Sequence, residues 1–160
     1  MQTKPTSEHA WLQRLVGTWN YTSTCDAGPG QEPMVSKGTE VVRSIGELWV
    51  VGENTGTMPG GGAMTALLTI GFDPTKNRFV GTWIGSPMAY MFVYDGQLEA
   101  DGKTLTLDCV GPSFADPTKQ AEYQDIVEVV DENTRILRAQ YRTPEGVWVP
   151  FMKAEFRRVK

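Results

Sequence analysis

The sequence predicts an all-β protein: about ten antiparallel strands in an up-and-down barrel, preceded by one short N-terminal helix. Three observations carry this. From Trp19 to Arg158, runs rich in Val, Ile, Thr, Phe, Tyr and Trp alternate apolar and polar residues with period two. Turn-forming clusters separate those runs, and no second helical rhythm of useful length appears between them. The connections are in turn long and tight, as they are when strands run up and down between two unlike ends.

The helix comes first, at about 7–16. Trp11 and Leu15, like Leu12 and Val16, are i,i+4 pairs that share one face. Ser7 is the expected N-cap, with Glu8 favourably placed in the first turn. Gly17 is expected to end the helix in a left-handed conformation. The period then changes to two: Trp19, Tyr21, Ser23 and Cys25 alternate with Thr18, Asn20, Thr22 and Thr24. Similar runs follow at 35–44, 48–57, 64–72, 78–85, 89–99, 103–110, 123–130, 135–142 and 148–158.

Loop lengths favour a barrel over a sandwich. One end collects 45–47, 73–77, 101–102 and 131–133, all tight. The other collects 26–34, 57–63, 85–88, 111–122 and 143–147, mostly longer and rich in Gly and Pro. A frayed end and a closed end suit a barrel that holds a ligand. Gly17, Trp19 and Arg158 fall at the tight end, where the tryptophan closes the floor and the terminal arginine lies across its ring. Such a cation–π contact contributes about 0.5–2 kcal/mol, and burial of the ring roughly 2–3 kcal/mol.

Length and charge set bounds on function. The 160 residues suggest a single domain, 1–160, with the barrel at about 17–158. With 15 Lys and Arg against 19 Asp and Glu, no clustered basic face for nucleic acid is expected, since Arg157, Arg158 and Lys160 are a terminal cluster. No apolar run reaches the length of a membrane span, and residues 1–16 do not read as a signal peptide. Cys25 and Cys109 lack metal-ligand spacing and are expected to be reduced, which fits a cytoplasmic protein.

The inward faces can be read on several strands. Met64, Ala66, Leu68, Ile70 and Phe72 form one apolar row. On the last strand Trp148, Pro150, Met152, Ala154, Phe156 and Arg158 are the expected interior, against Val149, Phe151, Lys153, Glu155 and Arg157 outside. On the strand before it Leu137, Ala139 and Tyr141 point inward. The expected ligand-binding lumen is therefore Tyr21, Ser23, Met64, Leu68, Ile70, Tyr141 and Met152, suited to an apolar or amphipathic small molecule. The alternative is a barrel filled by its seven methionines and its aromatics. Strands 78–85 and 89–94 are apolar on both faces, which leaves open a partner surface or homodimer contact.

Catalytic constellations are sparse. His9 is the lone histidine, so no Ser–His or Cys–His triad and no three-histidine metal site can form, and neither metal nor cofactor is expected. "MPGGGAM" lacks the Lys-Ser/Thr ending of a phosphate loop and reads as a rim loop. Asp125 faces inward if Val127 and Val129 do. Asp125 and Tyr141 are then the candidates for an isomerase- or hydrolase-type reaction, the alternative to simple binding.

"GTW" after a short helix, answered by an arginine in the final strand, resembles the Gly-x-Trp signature of lipocalins and their calycin relatives. The ordered set "LQRLVGTWNY", "PMVSKGT", "IGFDPTKNRFVGTWIG", "KTLTL", "VVDENTRIL" and "TPEG" is similar to a bacterial domain-of-unknown-function family of lipocalin-like barrels, from about His9 to Arg158. The resemblance implies the fold and assigns no activity. Nitrobindin, a relative by fold, binds haem through a histidine in its last strands, and here that histidine is missing. Met152 on the last strand reads as core rather than ligand. Fatty-acid-binding proteins grip a carboxylate with Arg-x-Tyr, and "RAQYR" at 138–142 departs from that pattern.

Overall fold

In the computed structural model, which describes residues 1–58 and 60–159, ten antiparallel strands close into a barrel behind one helix. Two residues of the sequence reading, Pro59 in the 57–63 loop and Lys160 in the terminal basic cluster, lie outside the described residues. The helix α1 is Ser7–Gln13. The strands are β1 Gly17–Cys25, β2 Met34–Ile45, β3 Trp49–Thr57, β4 Ala63–Asp73, β5 Arg78–Gly85, β6 Met88–Leu98, β7 Thr104–Pro112, β8 Gln120–Asp131, β9 Thr134–Arg142 and β10 Trp148–Arg158. Each pairs with its neighbours in the chain, and β1 pairs with β10 to close the ring. Among the described residues no helix is long and apolar enough to cross a membrane.

The first turn corrects the sequence reading in three details. The N-cap is Thr6 rather than Ser7, and its amide donates to His9 Nδ1 at 2.9 Å. The helix stops at Gln13. The amides of Arg14, Leu15 and Val16 instead reach back three residues, tightening the chain into 3₁₀-like turns. Gly17 therefore caps no helix and opens β1 at φ +139°. A side chain there would occupy the position of the Arg158 guanidinium.

The base of the barrel is filled and plugged by α1. Leu12 and Leu15 are buried, His9 Nε2 bonds the Phe72 carbonyl at 3.0 Å, and Trp11 Nε1 donates to the Gly102 carbonyl at 2.9 Å. Trp19 is buried, donates to the Leu15 carbonyl, and has the Arg158 guanidinium 4.2 Å from its ring centroid. Arg158 in turn donates to the Val16, Arg14 and Glu132 carbonyls, tying the last strand to the chain around the helix. Ile70, Phe72, Phe79, Leu105, Leu107, Val127, Val129 and Phe156 complete this packed layer.

The other end is irregular, with a register shift between Trp83 and Gly85 on the β5–β6 ladder and two further features that shape the interior. The β9–β10 register shifts between Pro150 and Met152. Pro150 has no amide to give the ladder, so a bulge forms there. Above it the last strand reverses faces: Phe151, expected outside, packs its ring against Tyr123, Tyr141 and Phe114. Trp148, expected inside, pairs with Arg142 on the outer wall. The second of these features is the β6–β7 seam, which is laddered only from Asp95–Leu98 to Leu105–Asp108. Higher up the two strands part, and the Tyr90 hydroxyl reaches across to the Val110 carbonyl at 2.8 Å.

Candidate functional site

Strand parity sorts the inward side chains into a sealed base and an accessible upper half. β5 and β6, apolar on both faces, point Phe79, Gly81 and Trp83, and Tyr90, Phe92 and Tyr94, toward the interior. In the upper half Trp83, Phe92, Tyr141, Phe151 and Met152 are only half-buried although they face inward, and Phe114 in the β7–β8 loop is 62% exposed. The alternative of a lumen filled by methionines draws on few of them. Met34, Met88 and Met91 are exposed, because they sit at the rim or on outward positions of their strands, and Met64 and Met152 face inward.

The rings form a continuous arc around one side of the mouth. Trp83 and Tyr90 each contact Phe92, with centroids 6.0 and 5.0 Å apart, and Phe92 meets Tyr123 edge-on at 6.0 Å. Tyr123 continues to Phe114 at 5.3 Å and to Phe151 at 6.3 Å, and Tyr141 closes the group on Phe151 at 6.0 Å. Glycines make room for the rings: a Cβ on Gly111 would run into Phe92, and one on Gly85 into Trp83. Two concavities flank the arc. A cleft of about 550 Å³ opens in the parted β6–β7 seam, lined by Tyr90, Met91, Val93, Cys109, Tyr123 and Trp148 among others. A larger one of about 800 Å³ lies at the mouth between the β7–β8 and β9–β10 loops, against Phe114, Tyr123 and Tyr141.

Asp125 is the next inward position below Tyr123, about 7 Å deeper along β8. Its Oδ2 accepts a hydrogen bond of 2.5 Å from the Tyr94 hydroxyl. Burial pushes its carboxyl up to about 6, against the Tyr94 hydrogen bond, which pulls the other way. Burial also drives the Tyr94 hydroxyl well above its ordinary value, helped by the Asp125 charge. Cys109, inward on β7, is raised to about 12 by burial and then by the charges of Asp125 and Asp108.

The residues singled out from the sequence divide between levels. Gly17, Trp19 and Arg158 meet at the base. Ile70 is fully buried in the packed layer just above them. Tyr21 lies along the wall, over Gly38 and Gly56, with its hydroxyl donating to Asn54 Oδ1 at 2.8 Å. Ser23 is buried opposite Ala154 and Ser36. Met64, Leu68, Tyr141 and Met152 face the upper interior and are half-buried. Asp125 and Tyr141 are not hydrogen-bonded to each other; the partner of Asp125 is Tyr94. Sequence reasoning missed Phe92, Tyr94, Phe114, Tyr123 and Phe151. For Tyr94 and Phe92 the two-faced apolarity of their strand hid the inward parity, and for Phe151 the bulge reversed it.

A second buried polar group was also missed. Glu40 and Arg135 form an ion pair inside the base, with the guanidinium 4.0 Å from the Phe156 ring centroid and 4.8 Å from that of Trp19. Among the described residues, no group of three or more His, Cys, Asp or Glu is placed to hold a metal ion.

The family model described as "Protein of unknown function (DUF1579)" matches residues 4–158. No curated protein sequence matches the chain. Among solved structures, the crystal structure of Rv2717c from M. tuberculosis is similar, with a TM-score of 0.69 at 11% identity over 98% of this chain and 100% of that one. The structure of EF1p2_mFAP2b bound to DFHBI is similar with a TM-score of 0.52 at 14% identity, over 95% and 99% of the two chains. At these identities the likeness is one of fold.

Proposed function

The chain belongs to the DUF1579 family, and from that premise we propose that it binds a small apolar or amphipathic molecule in the upper half of its barrel. One observation carries the reading: Trp83, Phe92, Tyr141 and Phe151 at the mouth touch one another yet stay half-buried, and Phe114 beside them is exposed. A barrel whose interior served packing alone would bury these rings, since each contributes roughly 2–3 kcal/mol when fully buried. The base buries its inward rings fully, and the partial exposure of those at the mouth supports the reading. A barrel of the same fold solved bound to DFHBI is compatible with the reading. We place the protein in the cytoplasm, on the support of two free cysteines.

Native mass spectrometry of the protein purified from its own host, followed by solvent extraction, tests this. A co-purifying molecule near unit stoichiometry, lost on Phe151→Asp, is the expected result. A clean apo mass, together with no uptake of the neutral probe N-phenyl-1-naphthylamine, overturns it.

The outer wall supports a second reading. Met91, Val93 and Val110 stand exposed beside the parted β6–β7 seam, a surface suited to a second copy of the chain. Light scattering across concentrations would give a dimer mass that Val93→Glu reduces to the monomer. A monomer throughout removes the reading.

A further inference from the structure

Among the described residues, the lumen carries one acid that the fold does not neutralise. Among the inward strand positions Glu40 and Arg135 pair with each other in the base, and both are almost fully buried. That leaves Asp125, at mid-height under the aromatic arc. Its Oδ2 is taken by Tyr94, whereas Oδ1 has no hydrogen-bond partner and is not among the enclosed polar atoms. The residue is only half-buried. Oδ1 therefore keeps some solvent contact on an inward position one step deeper than Tyr123, with no protein partner among the described residues. The groups facing it are Tyr94 from β6, Cys109 from β7, Tyr123 on its own strand and Tyr141 from β9, and none of these is a cation.

Resting on the lumen-binding reading, we propose that Asp125 selects the ligand: an aromatic or apolar molecule that brings an N–H or O–H donor, cations included, to the free oxygen. Carboxylates and sulfonates are rejected. A donor placed on Oδ1 completes the coordination of a desolvated carboxylate, whereas an anion placed there meets an uncompensated like charge. The seam cleft beside the arc has a small acidic excess. It carries Asp95, Asp108 and Glu122 against Arg142, with Arg78 reaching Asp95 and Asp108 from one side. The inward arginine that could have held a carboxylate, Arg135, is already occupied by Glu40.

Two probes differ in little but charge: N-phenyl-1-naphthylamine is neutral, and 1-anilinonaphthalene-8-sulfonate adds a sulfonate to the same rings. Affinity for the neutral probe is read by its fluorescence, and that for the sulfonate by displacement of the neutral one, so both report one site. At pH 8 the neutral probe should bind about tenfold or more tightly than the anion. Asp125→Asn should narrow the gap to about threefold or less, chiefly by improving the anion. Lowering the pH of the wild type to 5 should narrow it in the same way, since the Asp125 carboxyl titrates at about 6. Tyr94→Phe, which removes the hydrogen bond that holds that carboxyl down, should move the midpoint of this change to higher pH. If Asp125→Asn does not fold, the wild-type pH series and Tyr94→Phe decide alone. A gap that neither Asp125→Asn nor pH moves, or no gap at all, overturns the selection while leaving lumen binding intact. Failure of the neutral probe to bind at any pH overturns this selection, and together with a clean apo mass it overturns the lumen reading itself.

Discussion

Glu40 on β2 and Arg135 on β9 form an ion pair across the barrel interior, between strands that share no ladder, with 7% and 4% of the two side chains exposed. The pair is enclosed by Trp19 and Phe156, and Arg135 Nε is buried without a partner. Desolvation of two charges offsets most of their attraction, so the pair as a whole adds little to stability, but either charge alone is costly. Glu40→Gln should therefore destabilise by about 3–5 kcal/mol in urea unfolding. Glu40→Leu combined with Arg135→Met should recover most of that loss. A double variant as unstable as the single would show that the pair stabilises outright.

Trp19 lies between that interior guanidinium and the Arg158 guanidinium, and donates to the Leu15 carbonyl. Trp19→Ala should cost about 3–5 kcal/mol, as for other large buried aromatics. The measurement is again equilibrium unfolding, paired with probe titration. The change should be in stability and not in affinity per folded molecule, because the ring is in the sealed base and the binding space is above it. Gly17→Ala should fall in the same direction, since its Cβ would displace the Arg158 guanidinium at a backbone angle, φ +139°, that other residues rarely adopt.

The fold was readable because period-two alternation and turn residues act locally, and ten such runs behind one helix leave few arrangements. The candidate site was only half readable. Tyr141 and Asp125 followed from parity on the stretch of β8 and β9 where the register between them holds. Phe151 did not, because parity propagates only while the register holds, and Pro150 breaks it. Phe114 belongs to a loop, where no period operates. Glu40 and Arg135 were hidden for another reason: a charged residue on an inward position reads as an error in the pattern unless its partner is known. That partner lies 95 residues away.

Cys109 and Cys25 should differ in reactivity. Cys109 is 8% exposed and raised to about 12, by burial first and then by the charges of Asp125 and Asp108, so almost none of it is thiolate at pH 8. Cys25, at the open end of β1, is more accessible. Ellman's reagent at pH 8 should titrate one thiol rapidly in the native protein and both after denaturation. Asp125→Asn should leave Cys109 protected, since burial is its larger cause. Rapid modification of both thiols in the native state would place Cys109 in open contact with water.

The acid at mid-barrel should also leave a mark on stability. Asp125 holds its proton up to about 6 in the folded protein, against an ordinary value of 3.8, because burial disfavours the charged form. Below about pH 4 both states are protonated and the group has no effect. Between about 4 and 6 the unfolded chain releases the proton while the folded chain keeps it, so the folded state binds more protons and its stability falls as pH rises. Above about 6 both states are ionised and the loss is complete. Asp125→Asn keeps an acceptor for the Tyr94 hydroxyl and removes the charge. Its stability should match the wild type near pH 4 and exceed it above pH 6, read as a difference between two urea-midpoint curves. Parallel curves across that window would mean that the lumen is wet enough at this depth for Asp125 to titrate as it does in water.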